Sequence, residues 1–209
     1  MLEFLLRYPQ KLYEPLLQHL AITAVTLAVS LLIAALLCAL LMRSRVLSQA
    51  AVGFFSVVYS IPSLALFALL IPVFGLGRRT AVFVLVLYNQ FLLVRNILEG
   101  FAGIDPCLIE AAQGMGMSEA QLFFRIRLPL AMPSILAGVR LAIISTIGIA
   151  TIAATINAGG LGVLLFDGLR TRNPVKIAWG ALLSSLLAIA ANQLLAFITK
   201  RLQRNINGI

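Results

Sequence analysis

Five long apolar stretches, separated by short basic segments, set the pattern of this chain. The first covers residues 20–42 and stops at Arg43 and Arg45; the second covers 50–76 and is followed by Arg78 and Arg79. The third, 81–98, is apolar as far as Val94 and then takes in Arg95, so it reads as a span continued by a polar helix. The fourth, 133–156, carries Arg140 near its start, and the fifth, 177–199, is free of charge until Lys200 and Arg201. An α-helix needs about 20 mostly apolar residues to cross the hydrocarbon core. The pattern therefore predicts an all-α integral membrane protein, one domain over 1–209, with five transmembrane helices. Pro62 and Pro72 fall inside the second stretch. Proline removes a backbone N–H and its ring clashes with the preceding turn, so that span is expected to bend or break.

Between the third and fourth spans lies a polar interruption, 105–129, with its own folding signals. Asp105 followed by Pro106 is a helix start: the carboxylate accepts backbone N–H bonds, and proline suits the first helical position. Leu108, Ala111, Ala112 and Met115 then recur on one face at helical spacing. Gly116 is placed to end the helix in a left-handed conformation, and Ser118 with Gln121 has the spacing of a capping box for a second helix. Two short helices joined at a glycine and lying along one membrane face are expected. Such an element either presents itself to a partner, or is an amphipathic connector whose Glu110 is merely solvated. Arg125 and Arg127 suit lipid phosphates or the loop itself.

Composition narrows the class. Of 209 residues 61% are hydrophobic and 11% charged, and the mean hydropathy is +1.04; soluble domains carry about 25% charged residues. The net charge of +9 is spread in ones to threes between apolar runs, as headgroup anchors are, and not as a nucleic-acid footprint. Cys38 and Cys107 make no disulfide or metal framework, and no metal site is expected. Charged residues before the first span interrupt any signal-peptide core, so that span is expected to direct insertion. No Walker A lysine follows a glycine run, and a single histidine without a carboxylate partner leaves no triad or zinc set. An enzyme is not expected. A passive channel or structural membrane subunit stays open on composition alone.

Other polar or small residues within the spans are candidates of a second kind. Asn157, Gly159, Gly160 and Gly162 follow the fourth span and form either a gate or re-entrant segment on the translocation path or a tight turn. Tyr88, Asn89 and Gln90, like Asn192 and Gln193, suit either a polar path or interhelical hydrogen bonds. Ala150, Ala154 and Ala158, and separately Gly180, Ser184 and Ala188, have the four-residue spacing that lets helices approach closely in lipid. Arg140 is expected to snorkel to the nearby membrane face. His19, the one histidine, reads as an interfacial residue at a span boundary, not a ligand.

Glu110-Ala111-Ala112, three further residues, Gly116, nine further residues, then Ile126-Arg127-Leu128-Pro129 resembles the EAA loop of bacterial ABC-importer permeases, with every position of the motif filled. The stretches 110–117, 128–140 and 147–162, with Tyr59-Ser60-Ile61-Pro62-Ser63, are similar to the permeases of osmoprotectant ABC importers; Asn157 departs from the glycine expected before Ala158. The resemblance implies the type I, methionine-importer-like permease fold, with 105–129 as cytoplasmic coupling helices. It implies that Glu110, Ala111, Ala112, Gly116, Ile126, Leu128 and Pro129 engage ABC ATPase subunits, which bind ATP and Mg, so this chain needs no cofactor of its own. A second permease subunit, identical or related, and an extracytoplasmic substrate-binding protein are the other implied partners. Glycine betaine, carnitine or choline is the implied solute, with methionine or another amine as the alternative. Multi-pass placement in the bacterial cytoplasmic membrane follows, with the N-terminus outside and the C-terminus in the cytoplasm; an excess of basic residues beside the loop agrees.

Overall fold

A computed structural model describes residues 6–207, with side chains described as far as Arg201; among the described residues every regular element is helical. In chain order these are α1 (Gln10–Leu41), α2 (Arg45–Ser60), α3 (Ser63–Phe74), α4 (Arg78–Ala102), α5 (Pro106–Gly114) and α6 (Glu119–Leu122). A π-helical turn (Phe123–Arg127), α7 (Leu128–Ile152), a 3-10 turn (Ala153–Ile156), α8 (Gly162–Arg170) and α9 (Pro174–Asn207) complete the chain. Among the described residues four helical stretches are long and apolar enough to cross a membrane, and the pair α2–α3, bent by 96° at its break, makes a fifth if it is counted as one broken span.

That break is the bend expected from Pro62. The residue before a proline is pushed out of the helical region, and Ile61 is extended (φ −68°, ψ 131°). Its carbonyl, left without a helical partner, accepts a 2.6 Å hydrogen bond from the Tyr88 hydroxyl on α4. Tyr59 packs against the rings of Tyr88 and Phe91 at 5.6 and 5.1 Å, so the joint is fastened to α4 by aromatic contact as well. Pro72, by contrast, is tolerated inside the last turns of α3.

Helix α4 is the hub, with α7, α1, α2 and α3 packed around it. Its buried face runs from Thr80 and Ala81 through Val84, Leu85, Tyr88, Asn89, Leu93 and Val94 to Ile97. One apolar cluster gathers Ile22, Phe67, Leu85 and Ala150 near one membrane face; another gathers Ala34, Cys38, Leu93 and Ala142 towards the other. A third joins Leu12 on α1 to Leu161 and Leu164 around α8, with Trp179 of α9 against it.

Three boundaries differ from the hydropathy reading. The first span begins ten residues early, because residues 10–19 lie under α8 and bury Leu12 and His19, while Lys11 and Glu14 stay exposed. The fourth does not start afresh at residue 133: α6 runs through the π turn into α7 without a break in the helical path. Pro129 cannot donate to the carbonyl of Arg125, and a wider turn is one way a helix absorbs that loss. The loop 105–129 is thus one separate short helix and one that is the foot of a span, not two equal short helices. At the far end the fourth span tightens into the 3-10 turn and stops at Asn157, so Ala158 does not continue the stripe of Ala150 and Ala154. The stripe beginning at Gly180 does mark a close contact: a β-carbon there would lie 2.9 Å from the backbone nitrogen of Leu165 on α8.

Candidate functional site

The loop 105–129 folds from its own signals. Asp105 accepts the backbone N–H of Cys107 at 2.9 Å, and Pro106 opens α5. The helix ends in a Schellman motif: the N–H of Met117 reaches the carbonyl of Ala112 (3.2 Å), and that of Gly116 reaches Gln113 (2.9 Å). Gly116 takes φ +80°, a conformation that costs an L-residue about 1–2 kcal/mol. Ser118 and Gln121 then form a capping box, each side chain accepting the other residue's backbone N–H. The loop is pinned to α4 by Phe123 stacking on Phe101 and by the buried Leu122.

The face of α5 is not the one hydropathy suggested. Ala112 is buried, whereas Leu108 and Met115 are exposed, as are Glu110 and Ala111. Ala111, the exposed apolar pair and the charge of Glu110 are thus the side chains that α5 leaves accessible. Gly116 is exposed at the tip; Ile126, Leu128 and Pro129 are half-buried at the foot of α7.

At the opposite end of α4, the glycine segment is a turn folded over α1. Asn157 adopts the left-handed region (φ 61°), which explains how it serves where a glycine was expected: asparagine is among the few side chains tolerated there. Gly159 and Gly160 both have φ +84°. The N–H of Gly160 donates to Gln18 Oε1 at 3.1 Å, and that of Leu161 donates to His19 Nδ1 at 3.2 Å. An acceptor Nδ1 requires the proton on Nε2, and Nε2 faces the carbonyl of Ile147 on α7 at 3.1 Å. His19 is fully buried and ties together α1, α7 and the turn. The interfacial reading of His19 is thereby corrected. Its partners are 128 and 142 residues away in sequence, so nothing local in the chain announces them. Gly162 is closer still: a β-carbon there would sit 1.8 Å from the carbonyl oxygen of Thr151.

The turn leads into α8 and a charged corner. Asp167 accepts from Lys176 Nζ at 2.6 Å and from Arg170 at 3.0 Å. Lys176 first, then Arg170, hold its carboxyl below the usual aspartate range. A depressed folded-state value means the pairing stabilises the corner above the unfolded pKa and is lost as pH falls through the folded one. Hydrogen exchange at residues 171–173, corrected for intrinsic rates, is expected to be flat from about pH 5 to 8 and to rise in Asp167→Asn. Unchanged exchange in that variant would show that Asn173, which caps α9 through Val175 and Lys176, holds the corner alone.

Tyr88 and Asn89 turn inward. Tyr88 holds the α2–α3 joint, and Asn89 Nδ2 donates to Ser30 Oγ (3.2 Å) and Thr146 Oγ1 (2.9 Å), joining α1, α4 and α7. Gln90 donates to the carbonyls of Ser30 and Val86. These residues are interhelical connectors within this subunit. Arg140 lies twelve residues beyond the start of α7, about 18 Å along its axis. Its Nε donates to Asn192 Oδ1 on α9, so each of these polar side chains has a partner in the other.

Residues 21–208 match the family described as binding-protein-dependent transport system inner membrane component. The chain belongs to this family. Among its relatives, this permease is 36% identical to the carnitine transport permease protein OpuCB of Listeria monocytogenes, over 88% of this chain and 85% of that protein. It is 34% identical to the glycine betaine/carnitine/choline transport system permease protein OpuCB of Bacillus subtilis, over 88% and 84% respectively. A further relative is the ergothioneine transport permease/ergothioneine binding protein EgtU of Helicobacter pylori, 43% identical over 65% of this chain; the permease spans only 24% of that longer protein. The fold matches a chain of the inward-facing MetNI methionine ABC transporter with a TM-score of 0.80 at 21% identity, covering 91% of this permease and 95% of that chain. It is thus a multi-pass, all-α permease of the type I importer fold, and a transport subunit instead of an enzyme.

Proposed function

We propose that this permease forms the path of an ATP-driven importer for small trimethylammonium solutes. Carnitine, choline, glycine betaine and ergothioneine all carry that group, and several relatives are named for them. In this reading two permease subunits, the same or related, stand on a pair of ABC ATPases that hold ATP and Mg, and a binding protein delivers solute from outside. The N-terminus lies outside, the loop 105–129 and the C-terminus in the cytoplasm.

The observation that carries the coupling role is the free-standing α5: a short helix closed by a Schellman motif, exposing Leu108, Glu110, Ala111 and Met115. An element of that shape, joined by its closed turn to α6, which is continuous with the α7 span, transmits a push at the ATPase surface into the membrane. When the ATPases close on ATP, α5 moves, α7 moves with it, and the path opens outward; hydrolysis resets it. Methionine, the solute named for the structural relative, has a primary ammonium and no trimethylammonium group. The test is uptake of labelled choline, carnitine and glycine betaine by cells stripped of other carriers and supplied with this permease, its ATPase and its binding protein. Uptake is expected to be ATP-dependent, mutually competed by trimethylammonium solutes and untouched by excess methionine. Competition by methionine would overturn the solute class, and uptake that survives ATP depletion would point to a passive channel.

A further inference from the structure

We infer that the groove between α1 and α4 binds one anionic phospholipid of the leaflet opposite the coupling loop. The groove has a volume of about 680 Å³ and is walled by Val29 and Ile33 of α1 and Val82 and Val86 of α4, with Phe55 and Phe74 from the two arms of the bent span at its sides. Arg78 and Arg79, the first residues of α4, also line it. From those arginines to Gln90, the deepest α4 residue on its wall, the groove follows twelve residues of helix, about 18 Å. One leaflet of a hydrocarbon core of about 30 Å is half that thickness. The groove is therefore as long as an acyl chain's share of the bilayer and has two cations where the headgroup would be.

Those cations have no protein partner. Both are exposed, and among the described residues neither makes an ion pair or side-chain hydrogen bond. They begin α4 right after the α3–α4 connection, so they sit at a membrane face; it is the face of the glycine turn, since a β-carbon on Gly77 would lie 3.9 Å from the carbonyl of Asn157. The N-terminal end of α4 adds its own positive potential. A second copy of the chain is a poor match for this position. Of the described acids on this face, Asp167 is already held by Lys176 and Arg170, which leaves only Glu14. A lipid phosphate with a net negative headgroup satisfies the arginines, and its chain fills an apolar groove that water would wet poorly.

Native mass spectrometry of the full-length permease in the assembly it forms in the membrane, titrated with phosphatidylglycerol and phosphatidylcholine, tests this. Wild type is expected to hold one phosphatidylglycerol per subunit with a preference on the order of tenfold, from two basic residues near the phosphate. The double variant Arg78→Gln/Arg79→Gln should lose the preference, and Arg43→Gln/Arg45→Gln, on the other face, should keep it. Ile33→Trp, which fills the groove and leaves both arginines, should lose the lipid altogether, and it decides the matter if the double variant does not accumulate. Equal retention of both lipids by wild type, or a preference that survives the loss of Arg78 and Arg79, overturns the site. So does disulfide cross-linking in native membranes between Val29→Cys and Phe83→Cys on different subunits, which would show that a second copy covers the groove.

Discussion

Gly116→Val is expected to abolish solute uptake while the permease still inserts and accumulates in the membrane. The site makes this separation possible. A β-carbon at Gly116 meets nothing within 4 Å, so the substitution causes no clash; what it opposes is φ +80° alone. A left-handed conformation costs an ordinary residue about 1–2 kcal/mol, and a branched one more. The chain escapes by opening the Schellman motif, which frees the carbonyls of Ala112 and Gln113 and lets α5 swing relative to α6. The core of the bundle does not depend on that turn. Gly116→Asn, with a side chain that accepts the left-handed region, should restore much of the uptake, and Glu110→Lys should fail as Gly116→Val does, for electrostatic instead of conformational reasons. The readouts are ATP-dependent uptake, solute-stimulated ATP hydrolysis by the assembled transporter, and permease content of the membrane. Normal transport by Gly116→Val and Glu110→Lys together would remove the coupling role from this loop.

The second large effect is on stability, at the other end of the molecule. His19→Leu removes the partner of the buried N–H of Leu161 and one of the donors to the carbonyl of Ile147, which keeps the hydroxyl of Thr151. The orphaned N–H costs about 1–3 kcal/mol. Gly162→Val goes further, because it drives a branched side chain into the Thr151 carbonyl and towards Ala154, whose β-carbon is 2.8 Å from the added one; overpacking of this kind typically costs about 1–3 kcal/mol and occasionally more. Both variants are expected to lower the thermal midpoint of the purified permease and its yield from membranes, Gly162→Val the more severely. His19→Gln, able to keep one of the two hydrogen bonds, should fall between His19→Leu and wild type. A His19→Leu protein as stable as wild type would mean that the turn is held by Gln18 and by packing around Leu161 alone.

What could be read from the chain, and what could not, divides by sequence distance. The capping at Asp105 and Ser118, the stop at Gly116 and the break at Pro62 are rules between residues at most four apart, and each was legible. The four long apolar helices followed from hydropathy, because the bilayer imposes a length of its own. Their ends did not: α1 begins at Gln10 because Leu12 and His19 find cover under Leu161 and Leu164, which a hydropathy window cannot see. Leu108, Ala111, Ala112 and Met115, placed on one face by their spacing, do not share one fate: Ala112 is buried and the other three are exposed. The motif residues from Glu110 to Pro129 were all visible as a pattern, while Gln18, His19 and the Arg140–Asn192 pair required the folded chain.

The bent span has a consequence for how this protein enters its membrane. Its arms, α2 and α3, have 16 and 12 residues, and each falls short of the roughly 20 that make a segment self-sufficient in lipid. The carbonyl at their joint is satisfied only by Tyr88, which is synthesised 27 residues after it. Until α4 has emerged, the joint would expose an unpaired peptide group to hydrocarbon, a cost of several kcal/mol. This segment therefore cannot settle in chain order as an independent span. It must wait at the membrane surface or within the insertion machinery and take its final place together with α4, so the helix at the centre of the finished bundle is also the one that completes the insertion of the span before it.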